Sequence, residues 1–196
     1  MTLAFVLIAA AYLAGSVSSA ILVCRLIGAP DPRSTGSGNP GATNVLRVAG
    51  KHAAAVTLAG DLLKGLLPVL VARLLGMTDL VLALCAVAAF LGHLYPLYFG
   101  FQGGKGVATL IGVLLALAWP LGLLFVAVWL LMAKLFRISS LAALTAAAAT
   151  PVAAFGLDYP PPLTGALAFM VALLVYRHRS NIRNLLAGTE GHIGAR

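Results

Sequence analysis

Long uncharged runs separated by short polar breaks set the pattern of this chain. Met1–Cys24 has no charged residue, and Leu80–Leu97 holds one histidine and no formal charge. Val107–Ala133, Ile138–Leu157 and Tyr159–Tyr176 are likewise uncharged. Runs near 20 apolar residues match the length a helix needs to cross a bilayer. Ala53–Leu75 is also long enough, but Asp61, Lys64 and Arg73 interrupt it. Charges at membrane depth are costly and normally face a bundle interior. The pattern predicts an all-α integral membrane protein, a polytopic helical bundle built as a single membrane-embedded domain over residues 1–196.

Charge places the ends of the runs. Arg25, Arg33, Arg47, Lys51, Lys105, Lys134, Arg137, Arg177, Arg179, Arg183 and Arg196 sit at run ends and in short connections. The positive-inside rule puts these eleven of the thirteen basic residues at the cytosolic face. The turns near Gly76–Asp79 and Leu157–Pro162 fall opposite, so the N-terminus is outside and the C-terminus cytosolic. One crossing of Val107–Ala133 would separate Lys105 from Lys134. A break at Trp119-Pro120 restores parity with two helices of about 13–15 residues, roughly 20–23 Å each. That is short of the ~30 Å hydrocarbon core. Seven spans are favoured, and five with a re-entrant pair is the alternative. Met1–Cys24 lacks the positive start of a signal peptide and reads as a retained span.

Composition sharpens the class. The 196 residues are 61% hydrophobic and only 9% charged. A soluble domain carries about 25% charged residues, which excludes an ordinary cytosolic enzyme, a disordered chain and a disulfide scaffold. A net charge of +8 on such a chain favours anionic headgroups or a phosphorylated substrate over nucleic acid. Cys24 and Cys85 lie within apolar runs and read as small hydrophobes, not as a disulfide or metal pair. The tract Ala142–Ala149 reads as close helix packing through small residues.

Four polar clusters remain. The loop Asp31–Lys51 concentrates Gly, Ser, Thr and Asn between Ser34 and Asn44, with Arg33 and Arg47 at its ends. Such a loop can build an anion-binding nest from backbone N–H groups. Gly103-Gly104-Lys105-Gly106 precedes a helix start, where glycines permit close approach and the helix dipole favours an anion. Upstream, His93 reads evenly as a bonded core histidine or a site residue. Asp61 and Lys64 share a helix face; Lys64 is expected in a phosphate pocket, with Asp61 setting its position. The tail Tyr176–Glu190 places His178 three residues before Asn181 and holds the chain's only glutamate. Arg177 and Arg179 are expected to depress the pKa of His178. The clusters share one face of the membrane and together suggest a phosphate-handling site within reach of lipid.

These residues resemble the bacterial acyl-phosphate:glycerol-3-phosphate acyltransferases, the PlsY family, over nearly the whole chain. The likeness rests on Gly15-Ser16, Gly36-Ser37-Gly38-Asn39, Gly41-Ala42-Thr43-Asn44, Gly60-Asp61, Lys64-Gly65, Gly92-His93, Pro96, Gly103-Gly104-Lys105-Gly106 and the segment Arg177–Glu190. The chain departs from it at Ser18, often Pro in the family, and at Pro32, often Ile. The resemblance implies transfer of an acyl chain from acyl phosphate to the 1-hydroxyl of glycerol 3-phosphate, at the cytosolic face of the bacterial inner membrane. It implies Ser37, Arg47, His178 and Asn181 as catalytic. It implies a phosphate loop of Gly103, Gly104, Lys105, Gly106 and Thr109 and a structural role for Glu190; to these the polar clusters add Asn39, Thr43, Asn44 and Lys64 as substrate contacts and Asp61 as structural. An activated acyl donor requires no covalent nucleophile, cofactor or metal. Acyl phosphate, glycerol 3-phosphate and membrane lipids are the expected partners, with no nucleic acid. The competing reading is a transporter for an anionic metabolite, suggested by the intramembrane charges and the broken helix. The one-sided placement of the polar motifs and the lack of internal symmetry weigh against it.

Overall fold

The computed structural model describes residues 1–193; Arg196, grouped above with the basic tail, lies outside them. The described residues form nine α-helices and one 3₁₀ turn. Helix α1 (Thr2–Gly15) and α2 (Ser19–Leu26) meet at a 44° bend. At the bend, Ser16 Oγ donates back to the Tyr12 carbonyl at 2.8 Å, and the Val17 carbonyl is free to accept from Lys64 Nζ at 2.7 Å. Helix α3 (Ala42–Leu74) is broken at Gly50, whose φ of 85° is non-helical. The second half of the polar loop Asp31–Lys51 is therefore helix, which buries Asn44 and Val45.

Helix α4 (Asp79–Leu94) leads through a 3₁₀ turn (Leu97–Phe99) and the glycine-lysine loop into α5 (Val107–Leu117). Helices α6 (Trp119–Phe136), α7 (Ser139–Gly156), α8 (Pro161–Arg177) and α9 (Arg179–Leu186) follow. The run Val107–Ala133 does form two helices, but unequally. The break falls at Ala118 (φ −157°, ψ 81°), leaving 11 residues in α5 and 18 in α6. Pro120 is tolerated in the first turn of a helix, where its missing N–H has no partner to lose. The chain therefore turns before the proline.

Helix α5 lies along α3 at close range, because Gly65 and Gly112 leave no side chain between backbones. Arg73, near the end of α3, donates to the carbonyls of Ala116 and Leu117 at 2.8 and 2.9 Å. These carbonyls at the end of α5 lack helical partners, so Arg73 closes the α5–α6 corner. Four helical segments are long and apolar enough to cross a membrane, and the bent α1–α2 pair makes a fifth. Helices α5 and α8 are apolar but shorter.

The interior mixes large side chains such as Phe90, Leu94 and Phe125 with small ones: Ala86, Ala89, Ala146 and Ala147 are fully buried. Ala142 and Ala143, in the same tract, are also buried. Cys24 and Cys85 are free and buried, as apolar fillers. Large side chains such as Phe5, Val56 and Phe155 point outward. Large apolar side chains on the outside suit a lipid solvent, and the buried alanines let helices approach closely.

Candidate active site

The polar loop is organised from within. Asp31 and Arg33 pair at 2.7 Å. The Arg33 hydrogen bond holds the Asp31 carboxyl below its ordinary range. Arg33 also donates to the Phe99 carbonyl at 3.3 Å, which ties the loop to the 3₁₀ turn. Asn44, expected to contact substrate, uses its carboxamide inside the loop. Its Nδ2 donates to the carbonyls of Pro32 and Thr35 at 2.8 and 3.0 Å, and its Oδ1 accepts from the Ser37 N–H at 2.8 Å. Asn44 therefore fixes the backbone that carries exposed Ser37. Thr43 meets Ser139 at 3.3 Å.

The glycine-lysine loop is clamped from two sides. The Gly104 N–H donates to the His93 carbonyl at 3.2 Å. Arg177 donates to the carbonyls of Gly103 and Gly104 at 2.7 and 3.2 Å. Gly104 packs so tightly on the His93 ring that a methyl group there would collide with Nε2. Gly106 has φ +91°, a left-handed conformation that side chains rarely adopt, directly under the Phe90 ring. Gly103 and Gly104 therefore present their carbonyls to Arg177, while Lys105, Gly106, Val107 and Ala108 line the cavity. The first turn of α5 carries N–H groups without helical partners, and its dipole is positive at that end.

The tail returns over this loop. His178 joins α8 to α9 and is 3% exposed. Its Nδ1 donates to the Leu174 carbonyl at 2.8 Å, which leaves the neutral ring's lone pair on Nε2. Burial pushes its pKa down to about 4, reinforced by Lys105 and Arg177 and opposed by the Leu174 bond and Glu190. The expected direction holds, but burial and not the neighbouring arginines is the main cause, and Arg179 plays no part.

Lys105 Nζ donates to Asn181 Oδ1 at 2.6 Å. Asn181 Nδ2 and Ser140 Oγ both donate to Glu190 Oε1 at 2.6 Å. Burial raises the Glu190 pKa, but these hydrogen bonds and the Lys105 charge outweigh it and hold the group ionised below its ordinary range. Burial lowers the pKa of Lys105, partly offset by Glu190. Gly191 lies beside the Arg47 guanidinium.

Lys64 does not reach this arrangement. Its ammonium lies 2.8 Å from Asp61 and donates to the Val17 carbonyl, and it is absent from the cavity wall. Three residues along a helix fall short of a full turn and leave Lys64 about 60° round the axis from Asp61, enough to aim it at α1–α2 instead of the cavity. Asp61, expected to set the position of Lys64, lines the cavity itself. Thr109 is also turned away: its hydroxyl donates to the Asp61 carbonyl at 3.0 Å and joins α5 to α3.

The cavity enclosed by these elements is about 360 Å³. Ser37, Asn39, Arg47, Lys105, His178 and Asn181 form its polar end. Leu58, Ile111, Val126, Trp129 and Leu130 continue it as an apolar slot between α3, α5, α6 and α7. Two cations and a helix N-terminus beside an apolar slot can hold phosphate groups next to a hydrocarbon chain.

A family model described as glycerol-3-phosphate acyltransferase matches residues 5–188. The chain belongs to this family. A glycerol-3-phosphate acyltransferase of Thioalkalivibrio sulfidiphilus is 58% identical over 194 residues, covering 99% of this chain and 96% of that one. Another, of Methylococcus capsulatus, is 53% identical over 196 residues, covering 100% and 99%. Among solved structures, the glycerol 3-phosphate form of PlsY, an integral membrane glycerol 3-phosphate acyltransferase, superposes with a TM-score of 0.94. It is 41% identical over 97% of this chain and 96% of that chain. The lysophosphatidic acid form of PlsY gives 0.91 at 40% identity, over 97% and 95%.

Two residues at the site, Ser140 and Arg177, escape the sequence reading, and His93 stands open between two readings. Ser140 belongs to an ordinary helix start, and nothing local links it to Glu190. Arg177 reads as a membrane anchor until the fold sets it against two loop carbonyls. His93 was ambiguous because its neighbours, Asp61 and Gly104, are remote in sequence.

Proposed function

We propose that this protein transfers an acyl chain from acyl phosphate to the 1-hydroxyl of glycerol 3-phosphate. The products are lysophosphatidic acid and inorganic phosphate. The observation that carries this reading is the cavity itself, in which Lys105 and Arg47 face one polar end that opens into an apolar slot. The slot takes the acyl chain, and the polar end takes both phosphates. The 1-hydroxyl oxygen attacks the acyl carbonyl carbon, the bond from that carbon to the phosphate oxygen breaks, and phosphate leaves with the electron pair. The hydroxyl proton passes to the phosphate of glycerol 3-phosphate.

Lys105 and the first turn of α5 stabilise the leaving phosphate and the oxyanion, where preorganised donors act most strongly. Arg47, Ser37 and Asn39 hold the second phosphate. His178 and Asn181 orient the glycerol. Glu190 holds Asn181, and the glycines of the loop let its backbone take this shape.

The chain acts as one membrane-embedded unit in the bacterial inner membrane, with the site at the cytosolic face. Seven crossings fit best. The Arg73 contact joins the far end of α3 to the α5–α6 corner, so α5 runs from the site end of the bundle towards the opposite one. Incubating the purified protein with acyl phosphate and glycerol 3-phosphate should give lysophosphatidic acid and phosphate in equal amounts. Turnover with acyl thioesters but not with acyl phosphate would overturn the donor, and no turnover with either would overturn the reading.

A further inference from the structure

Beneath the glycine-lysine loop lies a polar group that none of these steps uses. Asp61 and His93 are 2% and 5% exposed, and both line the cavity. Asp61 Oδ1 and His93 Nδ1 stand 3.8 Å apart, too far for a hydrogen bond. Both atoms lack a hydrogen-bond partner, as does Thr57 Oγ1, one turn earlier on α3. The Lys64 ammonium stands 2.8 Å from this same Oδ1 and neutralises it, but it is not aligned as a hydrogen-bond donor there and donates instead to the Val17 carbonyl.

Buried polar atoms are nearly always paired, and leaving them unpaired is costly. The group that satisfies this pair must both donate and accept. A phosphate is repelled by the carboxylate, and a hydrocarbon satisfies neither atom. An alcohol hydroxyl fits: it donates to Asp61 Oδ1 and accepts from the His93 Nδ1–H. The His93 ring also packs on Gly104, next to Lys105, so a hydroxyl held here lies close to the proposed phosphate site.

We propose that Asp61 and His93 bind the glycerol hydroxyl that is not acylated, and so select an acceptor bearing a hydroxyl at carbon 2. This rests on the acyl-transfer reading above. The attacking oxygen must be free to close on the acyl carbonyl, whereas an oxygen held between two buried side chains is fixed. The pair therefore suits the secondary hydroxyl and not the reacting one.

The test compares glycerol 3-phosphate with 3-hydroxypropyl phosphate, which lacks only the carbon 2 hydroxyl. Acyl phosphate is kept saturating. Wild-type enzyme should prefer glycerol 3-phosphate by about tenfold or more in kcat/KM, as expected when buried polar groups lose a partner. Asp61→Asn and His93→Gln should each shrink the preference to about threefold or less. They should do so by slowing the natural acceptor while leaving the analogue within about threefold of wild type. His93→Gln keeps the test available if Asp61→Asn leaves Lys64 unpaired and fails to fold. Equal losses on both acceptors would reduce the pair to a structural role and overturn the proposal. Equal use of both acceptors by the wild type would mean that only water occupies the pair, and would overturn it without any variant. Acylation of neither acceptor by the wild type would sink the acyl-transfer reading itself.

Discussion

Lys105 and Asn181 lie 76 positions apart in sequence and meet at 2.6 Å. The contact joins the loop ahead of α5 to the first turn of α9, and Glu190 continues it to Ser140 on α7. The lysine ammonium is thereby held at the cavity's polar end before any substrate arrives. Preorganisation of this kind is what electrostatic catalysis requires.

Lys105→Ala is expected to lower kcat/KM by about 10–100-fold, since a charge-assisted contact contributes roughly 1.5–3 kcal/mol. Asn181→Ala should cost less, and the double variant should lose less than the two singles combined, because one contact serves both. Acyl-transfer kinetics on the three proteins, with thermal unfolding as the control, check this. Additive losses would mean that the two side chains act separately.

The helical framework was legible because a bilayer solvent imposes one rule, long apolar runs. The break at Trp119-Pro120 was legible because proline ends helices. Its true position was less so, since proline is also accepted within a first turn. The site divides in the same way. Lys105, His178 and Asn181 announce themselves by type and spacing. Whether Asp61 or Lys64 faces the cavity depends on a rotation of α3 that is set by its packing on α5. A carboxamide serves a loop carbonyl as well as a ligand, and only the fold shows that Asn44 lines the cavity while its amide holds the carbonyls of Pro32 and Thr35.

The ionisation of Glu190 sets a pH window for the tail. Its folded pKa is lowered, so its contribution is fully present above the ordinary glutamate value near 4.5 and is lost as pH falls through the lower folded value. Protection of the tail against proteolysis should therefore persist at pH 5 and weaken only under stronger acid. Glu190→Gln should loosen the tail already at neutral pH and abolish that acid transition. Tail cleavage followed across pH in both proteins measures it. Identical profiles would remove Glu190 from the tail's attachment.

Single cysteines introduced at either boundary, in a background lacking Cys24 and Cys85, test the crossings. Labels at the N-terminus and near Trp119 should react from outside, and labels near Lys134 and Arg183 from the cytosol. A site near Trp119 that reacts only from the cytosol would make α5 and the start of α6 a re-entrant pair.

His178 makes the most discriminating case. Its Nδ1 is committed to the Leu174 carbonyl, and burial holds its pKa near 4. The ring is therefore neutral throughout the working range, and no ionisation of it should appear in kcat/KM between pH 6 and 8. The sign for stability follows. The unfolded chain takes up a proton near pH 6.5 that the folded site refuses until about 4. Stability is thus lost as pH falls through that window, by about 2 kcal/mol at pH 5. His178→Gln should remove this part of the acid sensitivity. It should also retain measurable activity, because a carboxamide can still orient a glycerol hydroxyl while the substrate's phosphate, with a second pKa near 6, takes the proton. His178→Ala should be slower than His178→Gln. Equal abolition of turnover by both, with glycerol 3-phosphate binding unchanged, would instead make the imidazole the obligatory base.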